Sequence, residues 1–462
     1  MCKKESGPYP ATDYRAKSKK HDIDTILGQF DLVKAESEKI FENLSTMFRL
    51  HDEARRLVRE IIPAGNNYTK CNVCRISADV PIVRNAEHRR AYYNNLVHCS
   101  SPMLCPVCSP RISSRRSEEI ALSVKSWLSD PAHTVYMITL TASHTLSDTL
   151  SDFMQKFLKS REIFWAHRSV KDLLREMGSP LGPLRSFEIL WGKNGWHPHF
   201  HVLVWGCSGV DLEKISGSLK RLWLRCLRLT GLSGNIQHGL NVIEARSVQD
   251  YLTKISLEIG LSMNKTGRSG GLTPFQLLGK SREGDTMAGK RFQELYWYFH
   301  ENRLHPLRWP NGGKRFFGIG EVSDDDICNS RDDDYKIYFR LAPELWSALR
   351  GDAESKATLL SLASVDDRRG FIDFLVHFVK RKGINYVSGT TEKASGRASS
   401  DSGRISTCTM CNRPRGRVVG DRYKEYASLL RKAVLPSLRS AVHASGATCR
   451  PGRPSPGSVL RR

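Results

Sequence analysis

The sequence predicts an α+β fold built on a central antiparallel sheet. The run Val135–Thr141 is β-branched and aromatic, which is typical of a buried strand. A second apolar run ends at Trp191 and a third begins at Trp196, with a short polar break at 192–195 between them. Two strand-like runs with such a short connection predict a β-hairpin.

Helical patterns separate these strands. Amphipathic periodicity around Asp148–Met177 and over Leu212–Leu229 predicts two helices. Strands that alternate with helices around one hairpin are typical of a ferredoxin-like sandwich, with the helices packed on an antiparallel sheet.

The hairpin carries a candidate metal site. If Trp191 faces Trp196, then Glu188 faces His199, and directly opposed residues share a face of the sheet. His201 lies on that face too, because alternate residues of a strand point the same way. Glu188, His199 and His201 therefore converge. Mixed imidazole and carboxylate ligation suits Mn²⁺ or Mg²⁺.

Two alternatives remain beside this interpretation. His197 precedes the pair and is a neighbour that could add a further ligand. The three histidines could also form a simple surface cluster, or a chance cluster at a turn.

A helix predicted downstream carries a candidate nucleophile. Tyr251, Lys254 and Glu258 fall at helical spacing on one face. An activated phenol can act as a covalent nucleophile, and a nearby lysine could lower its pKa or hold a phosphate. Taken alone, this pattern is far more often a solvated helix face.

These pieces together resemble a known family. The strand that ends in Thr139 and Thr141, the segment His199–His201 and the helix pair Tyr251 and Lys254 stand in the order found in rolling-circle plasmid replication initiators of the HUH endonuclease superfamily. The resemblance covers roughly Cys71 to Gly320.

The resemblance implies a function. An HUH domain, which is RRM-like, nicks one strand of plasmid origin DNA that is single-stranded at the nick. Tyr251 would form a 5′-phosphotyrosine with the help of Lys254, and the freed 3′-hydroxyl would prime synthesis. A host helicase and a host DNA polymerase are the implied partners, and the ends would later be rejoined.

Two positions depart from the family pattern. Many relatives carry a second tyrosine where this chain has Ile255, and some carry a glutamate where it has Ser247. The terminating general base is therefore open; Asp250 is nearby in sequence, and Glu258 shares the Tyr251 face.

The cysteines predict a structural zinc site. Twelve cysteines in a chain that we expect to be cytoplasmic favour metal over disulfides. The pairs Cys71/Cys74 and Cys105/Cys108 supply the four thiolates that tetrahedral zinc requires. His98 or Cys99 could substitute for one ligand. A third pair, Cys408/Cys411, could equally be free thiols.

Charge indicates the partner. The chain of 462 residues carries a net charge of +23, from 71 Lys and Arg against 48 Asp and Glu. Such an excess favours a polyanion, most simply DNA. No run is long enough for a membrane span, and we expect a cytoplasmic protein that contacts no membrane.

Composition divides the chain into six segments. They are an N-terminal helical region (1–65), a zinc-binding module (66–118), a catalytic domain (119–262), a basic and aromatic extension (263–322), a small helical region (323–387) that opens with an acidic linker, and a flexible basic tail (388–462).

Three other functions fit parts of the pattern. An HUH transposase or relaxase would use the same chemistry on different DNA. A non-catalytic zinc-containing DNA-binding regulator would not need Glu188, His199, His201 and Tyr251 together. An RNA-binding protein would present aromatics on its sheet, where this chain has imidazoles.

Overall fold

The computed structural model describes residues 14–62, 65–245, 271–329 and 335–384. The helices of these parts are α1 (Tyr14–Ile61), α2 (Asn67–Lys70), α3 (Cys108–Trp127), α4 (Leu150–Ala166), α5 (Arg168–Glu176), α6 (Leu212–Leu229), α7 (Pro274–Arg282), α8 (Thr286–Asn302), α9 (Gly313–Phe316), α10 (Asp324–Asn329), α11 (Pro343–Leu349), α12 (Ala353–Ser364) and α13 (Arg368–Lys382).

The strands are β1 (Val80–Asn85), β2 (Arg90–Tyr93), β3 (His133–Thr141), β4 (Leu184–Gly192), β5 (Gly195–Cys207), β6 (Leu240–Ala245), β7 (Leu307–Arg308) and β8 (Tyr335–Leu341).

The larger sheet has five strands in the order β6-β3-β5-β4-β7, and all its neighbouring pairs are antiparallel. Along the chain its elements run β3, α4 and α5, β4, β5, α6, β6. The prediction of an α+β fold with a central antiparallel sheet is confirmed. The helix predicted around Asp148–Met177 is two helices, because the chain turns at His167, whose ring accepts the Ser169 amide.

Helices cover both faces of this sheet. On one face, Phe157 of α4 stacks on Phe200 of β5 at 5.2 Å, and the Trp223 indole of α6 donates to the Thr141 carbonyl. On the opposite face, α3 packs Ile120, Val124 and Trp127 against the sheet. Trp205 and Leu203 of β5 belong to this α3-facing side, so His201 and His199 share it further along the strand.

A second sheet joins distant parts of the chain. Its strands lie in the order β2-β1-β8, so a strand from the segment predicted as a small helical region pairs with the predicted zinc module. That segment is therefore not purely helical. The Trp346 indole also donates to the Val73 carbonyl at 2.9 Å. The prediction missed this because the partner strand is remote in sequence.

The acidic stretch predicted as a linker contains a helix. Residues 324–329 form α10, and the Arg116 guanidinium lies 2.7 Å from Asp324 and 2.7 Å from Glu119. Lys314 reaches Glu119 at 3.1 Å. Arg116 thus lies inside α3 and is paired with carboxylates. Ion pairs dock this part of the chain on α3.

Part of the predicted basic and aromatic extension (263–322) forms helix α8. Tyr296 and Tyr298 are buried, whereas Trp297 is 47% exposed. Packing accounts for most of these rings. Within the described ranges, no helix is both long and apolar enough to cross a membrane.

The tip of the β4–β5 hairpin depends on one glycine. Gly192 pairs with Gly195, so the turn itself is only residues 193–194. Gly195 has a φ of 96°, and a Cβ at this position would lie 2.9 Å from the Thr145 carbonyl oxygen. Both conditions favour glycine, since other residues rarely adopt positive φ.

We predict that Gly195→Ala lowers the free energy of unfolding by about 1–3 kcal/mol, through backbone strain and the contact with Thr145. Urea denaturation measures the change. Gly209→Ala is the matched control, because Gly209 also has positive φ (81°) but faces open space. If Gly195→Ala is as stable as Gly209→Ala, the close approach of the Thr145 carbonyl to position 195 has no effect on stability, and the prediction is wrong.

Candidate functional site

The hairpin has the register that the sequence predicts. Trp191 pairs with Trp196, and Glu188 pairs with His199. The two indoles meet edge to face, with ring centroids 5.1 Å apart. Helix α8 holds this tip: the Trp196 indole donates to the Glu294 carboxylate at 3.1 Å, and the Arg291 guanidinium lies over the Trp191 ring.

Three side chains converge below the tip. The Glu188 carboxylate oxygen Oε2 lies 2.5 Å from His199 Nε2 and 3.3 Å from His201 Nε2. The three ligand atoms all lie within 4.8 Å of one another. The side chains are nearly buried, at 8%, 8% and 7% exposure for Glu188, His199 and His201. We call this group the hairpin triad.

The triad fits a divalent cation. Both imidazoles direct the same ring nitrogen, Nε2, at one carboxylate oxygen, and this donor set of two nitrogens and one oxygen suits Mn²⁺ or Mg²⁺. The Thr139 hydroxyl lies 3.4 Å from His201 Nδ1, on the ring edge away from the carboxylate. Such a contact to the other ring nitrogen orients an imidazole ligand.

His197 stands beside the triad and is not one of its members. Its Nδ1 lies 3.3 Å from Nδ1 of His144, a residue of the loop that follows β3. Burial, and then the neighbouring His199 and His144, lower the pKa of His197 to about 4. His197 is therefore a neutral imidazole at physiological pH. Sequence reasoning missed His144 and named Thr139 only as part of a strand motif, since tertiary contacts bring both residues to the triad.

The candidate nucleophile lies outside the described residues. This holds for Tyr251 and Lys254, and also for Ser247, Asp250, Ile255 and Glu258. The described chain stops at Ala245, which pairs with Val135 on β3, and resumes at Gly271. Leu272 then bridges to Trp191 at the hairpin tip. The residue before this interval is thus part of the sheet that carries the triad, and the segment after it bridges to that sheet.

Four cysteines form a second cluster. The Sγ atom of Cys71 lies 3.7 Å from that of Cys105 and 3.6 Å from that of Cys108, and Cys99 Sγ lies 3.8 Å from Cys108 Sγ. In a tetrahedral site with Zn–S bonds of about 2.3 Å, the sulfur atoms lie roughly 3.8 Å apart. The spacing therefore fits zinc.

The thiols of the cluster differ in protonation: the hydrogen bond with Cys105 raises the pKa of Cys71 and burial raises the pKa of Cys99, whereas Cys108 favours the thiolate. Hydrogen bonds from neighbouring thiols, led by Cys105, hold the pKa of Cys108 well below its usual range. The thiolate is the form that binds metals. The Cys108 amide points at Cys105 Sγ at 3.5 Å, and His98 Nδ1 lies 3.9 Å from Cys108 Sγ.

The cluster differs from the predicted set in one member. Cys71, Cys105 and Cys108 are in it, but the fourth sulfur is Cys99, which the sequence offered only as a substitute. Cys74 is buried and is not one of the four. Cys408 and Cys411 fall outside the described residues.

A deep cleft connects the two clusters. Its volume is about 1780 Å³, and its walls include Glu188 of the hairpin triad and Cys99 of the cysteine cluster. Other walls come from the start of α3, the C-terminal half of α8 and the segment 302–314. The cleft thus borders one residue of each cluster.

Comparison with known proteins points to replication. Residues 91–208 match a family model described as a replication protein. This segment contains the whole hairpin triad. The chain is 28% identical over 252 residues to the protein rep of Streptomyces lividans, an alignment that covers 42% of this chain and 55% of that protein.

A second relative is the neomycin resistance protein of Streptomyces cyanogenus. It is 33% identical over 133 residues, which cover 24% of this chain and 30% of the relative. The matches thus span about half or less of the curated relatives' lengths. No solved structure matches the chain significantly. These matches confirm the resemblance to rolling-circle replication initiators that the motifs indicate.

We predict that His199→Ala or His201→Ala weakens Mn²⁺ binding at least tenfold, because each removes one of three donor atoms. Isothermal titration with MnCl₂ measures the affinity. His197→Ala is the matched control, a histidine of the same strand outside the triad, and should bind Mn²⁺ nearly as the unmodified protein does. Equal affinities for all three variants would place the ion elsewhere.

We predict about one zinc per chain in protein purified without chelators, held by Cys71, Cys99, Cys105 and Cys108. Cys99→Ser should then lower the zinc content and destabilise the module, since thiolate sites couple metal binding to folding. Cys74→Ser should retain the metal. Elemental analysis of both variants decides whether Cys99 or Cys74 is the fourth ligand. Loss of zinc only in Cys74→Ser would favour Cys74, the ligand that the sequence predicts.

Proposed function

We propose that this protein initiates rolling-circle plasmid replication by nicking and rejoining one strand of the origin. The observation that carries the proposal is the hairpin triad: one carboxylate and two imidazoles meet on a sheet face, inside the segment that matches replication proteins. The strand order β6-β3-β5-β4 and the chain order around it support a ferredoxin-like HUH domain.

The triad would hold the catalytic ion. Glu188, His199 and His201 supply three ligands and leave positions for the scissile phosphate and water. A bound Mn²⁺ or Mg²⁺ would polarise the phosphate and stabilise the charge that develops during the reaction. Thr139 orients His201 for this task.

Tyr251 is the proposed nucleophile. Its phenolic oxygen attacks the phosphorus, a new bond joins Tyr251 to the 5′-phosphate, and the bond to the 3′-oxygen breaks. The leaving oxygen takes up a proton and becomes a free 3′-hydroxyl. Lys254 would favour the phenolate or hold the phosphate. The covalent link conserves the energy of the broken bond, so the reverse attack can rejoin the ends.

The remaining parts would serve recognition. The basic surface implied by a net charge of +23 would hold origin DNA, with zinc ordering the module over 66–118. In the cytoplasm, a host polymerase would extend the exposed 3′-hydroxyl while a host helicase separates the strands. Asp250 and Glu258 remain the two candidates for the terminating base.

One experiment tests nicking directly. The protein is incubated with a single-stranded oligonucleotide library and Mn²⁺, and the 5′ ends trapped on protein are sequenced. A single enriched junction is expected for an initiator. Binding without any covalent product would instead support a DNA-binding regulator.

We predict that Tyr251→Phe abolishes nicking and the covalent adduct while the thermal midpoint stays within about 2 °C, because only one oxygen is removed. Gel assays and mass spectrometry of the trapped peptide provide the measurement. Tyr296→Phe is the control, a tyrosine that is buried in α8. An adduct that persists in Tyr251→Phe would reassign the nucleophile.

A further inference from the structure

Two arginines face each other at the edge of the larger sheet. Arg185 on β4 is the register partner of Arg308 on β7. Directly opposed residues of an antiparallel pair point to the same face, with Cβ atoms about 4.5–5.5 Å apart. Like charges in such a pair repel each other and destabilise the free protein.

A third arginine joins them from a helix. Arg161 of α4 lies over the Phe200 ring, with its guanidinium carbon 5.0 Å from the centroid. Phe200 pairs with Phe187, and Arg185 is two residues before Phe187, so the three arginines share the face opposite the hairpin triad. We call Arg161, Arg185 and Arg308 the arginine cluster.

Among the described residues, no carboxylate forms an ion pair with these three arginines. Glu162, the neighbour of Arg161 along the chain, instead contacts Lys159 at 3.3 Å. The Nε atoms of Arg161 and Arg185 are buried and have no hydrogen-bond partner. Burial, and then the charges of Arg161 and Arg308, lower the pKa of Arg185.

Two other cations of the same cleft are compensated. Arg116 and Lys314 also line it, and both contact Glu119. The arginine cluster therefore differs from these two cations, because no carboxylate of the described part of the chain forms an ion pair with it. Guanidinium groups bind phosphate oxygens with paired N–H donors, and a bound phosphate would offset both the repulsion and the unmet donors.

We propose that the arginine cluster is a binding subsite for a backbone phosphate of the DNA substrate. Arg185 lies three residues from Glu188, about 10 Å along β4 and on its other face. Both residues line the one cleft. A DNA strand that occupies the cleft would pass around the β4–β7 edge of the sheet. It would contact the triad with one phosphate and the arginine cluster with another.

This inference rests on the proposed function, and binding assays separate the two. Arg161→Gln, Arg185→Gln and Arg308→Gln are prepared in the full chain, with Arg168→Gln as control, since Arg168 is 94% exposed on α5. Binding of a fluorescent single-stranded oligonucleotide is followed by anisotropy in EDTA, over a range of NaCl concentrations, so that no cleavage contributes.

Each cluster variant should raise Kd roughly tenfold and reduce the slope of log Kd against log salt by about 0.7, as expected for one lost phosphate contact. Arg185→Gln should also raise the thermal midpoint of the free protein by about 1–3 °C, because like-charge repulsion is relieved. A purely structural arginine would lower it. The control should change neither quantity.

Unchanged affinity and salt slope in the cluster variants would overturn the inference, while nicking by the unmodified protein would leave the proposed function standing. Inorganic phosphate and a 5′-mononucleotide form the second arm. One outcome would also refute the DNA subsite. Phosphate or the mononucleotide would bind saturably, Arg185→Gln would abolish that binding, and the same variant would leave oligonucleotide affinity unchanged. The cluster would then be assigned to a small phosphate ligand.

Discussion

The register of the β4–β5 hairpin places every component of the candidate metal centre. A shift of one residue would turn Glu188 to the face packed by α4 and α6, because successive strand residues point to opposite faces. Two contacts hold the tip against such a shift, the Trp196 indole on Glu294 and Arg291 over Trp191. The Thr145 carbonyl also leaves no room for a side chain at position 195. The position of one carboxylate thus depends on the loop after β3 and on α8, both far away in sequence.

The two faces of β4 have different chemistry at closely spaced positions. Glu188 meets imidazoles on the α3 side, whereas Arg185 meets other arginines on the α4 side. The cleft reaches both, which suits an extended ligand better than a compact one. The basic residues differ in whether they form ion pairs. Arg116 pairs with carboxylates and holds α10 against α3. The arginine cluster has no such carboxylate partner among the described residues.

Helix α3 connects the cysteine cluster to the larger sheet. Cys108 is the first residue of α3, and the other end of that helix packs Trp127 beneath the α3-facing side of the sheet, where its indole donates to the Thr134 and Gly206 carbonyls. A metal on the cysteines would fix the beginning of α3 and hence the floor of the cleft. Strand β8 adds a second attachment, since it pairs with β1 of the same module.

The sequence by itself determined strands β3, β4 and β5, the bounds of α6, the hairpin register and three of the four clustered cysteines. Local periodicity and a short turn encode these features. Tertiary structure alone decided the choice of Cys99, the contacts of His144 and Thr139, the pairing of β8 with β1, and the opposition of Arg185 and Arg308. Each of these contacts joins segments that are distant along the chain, and no local pattern states which distant residues will meet, because that depends on how whole elements pack.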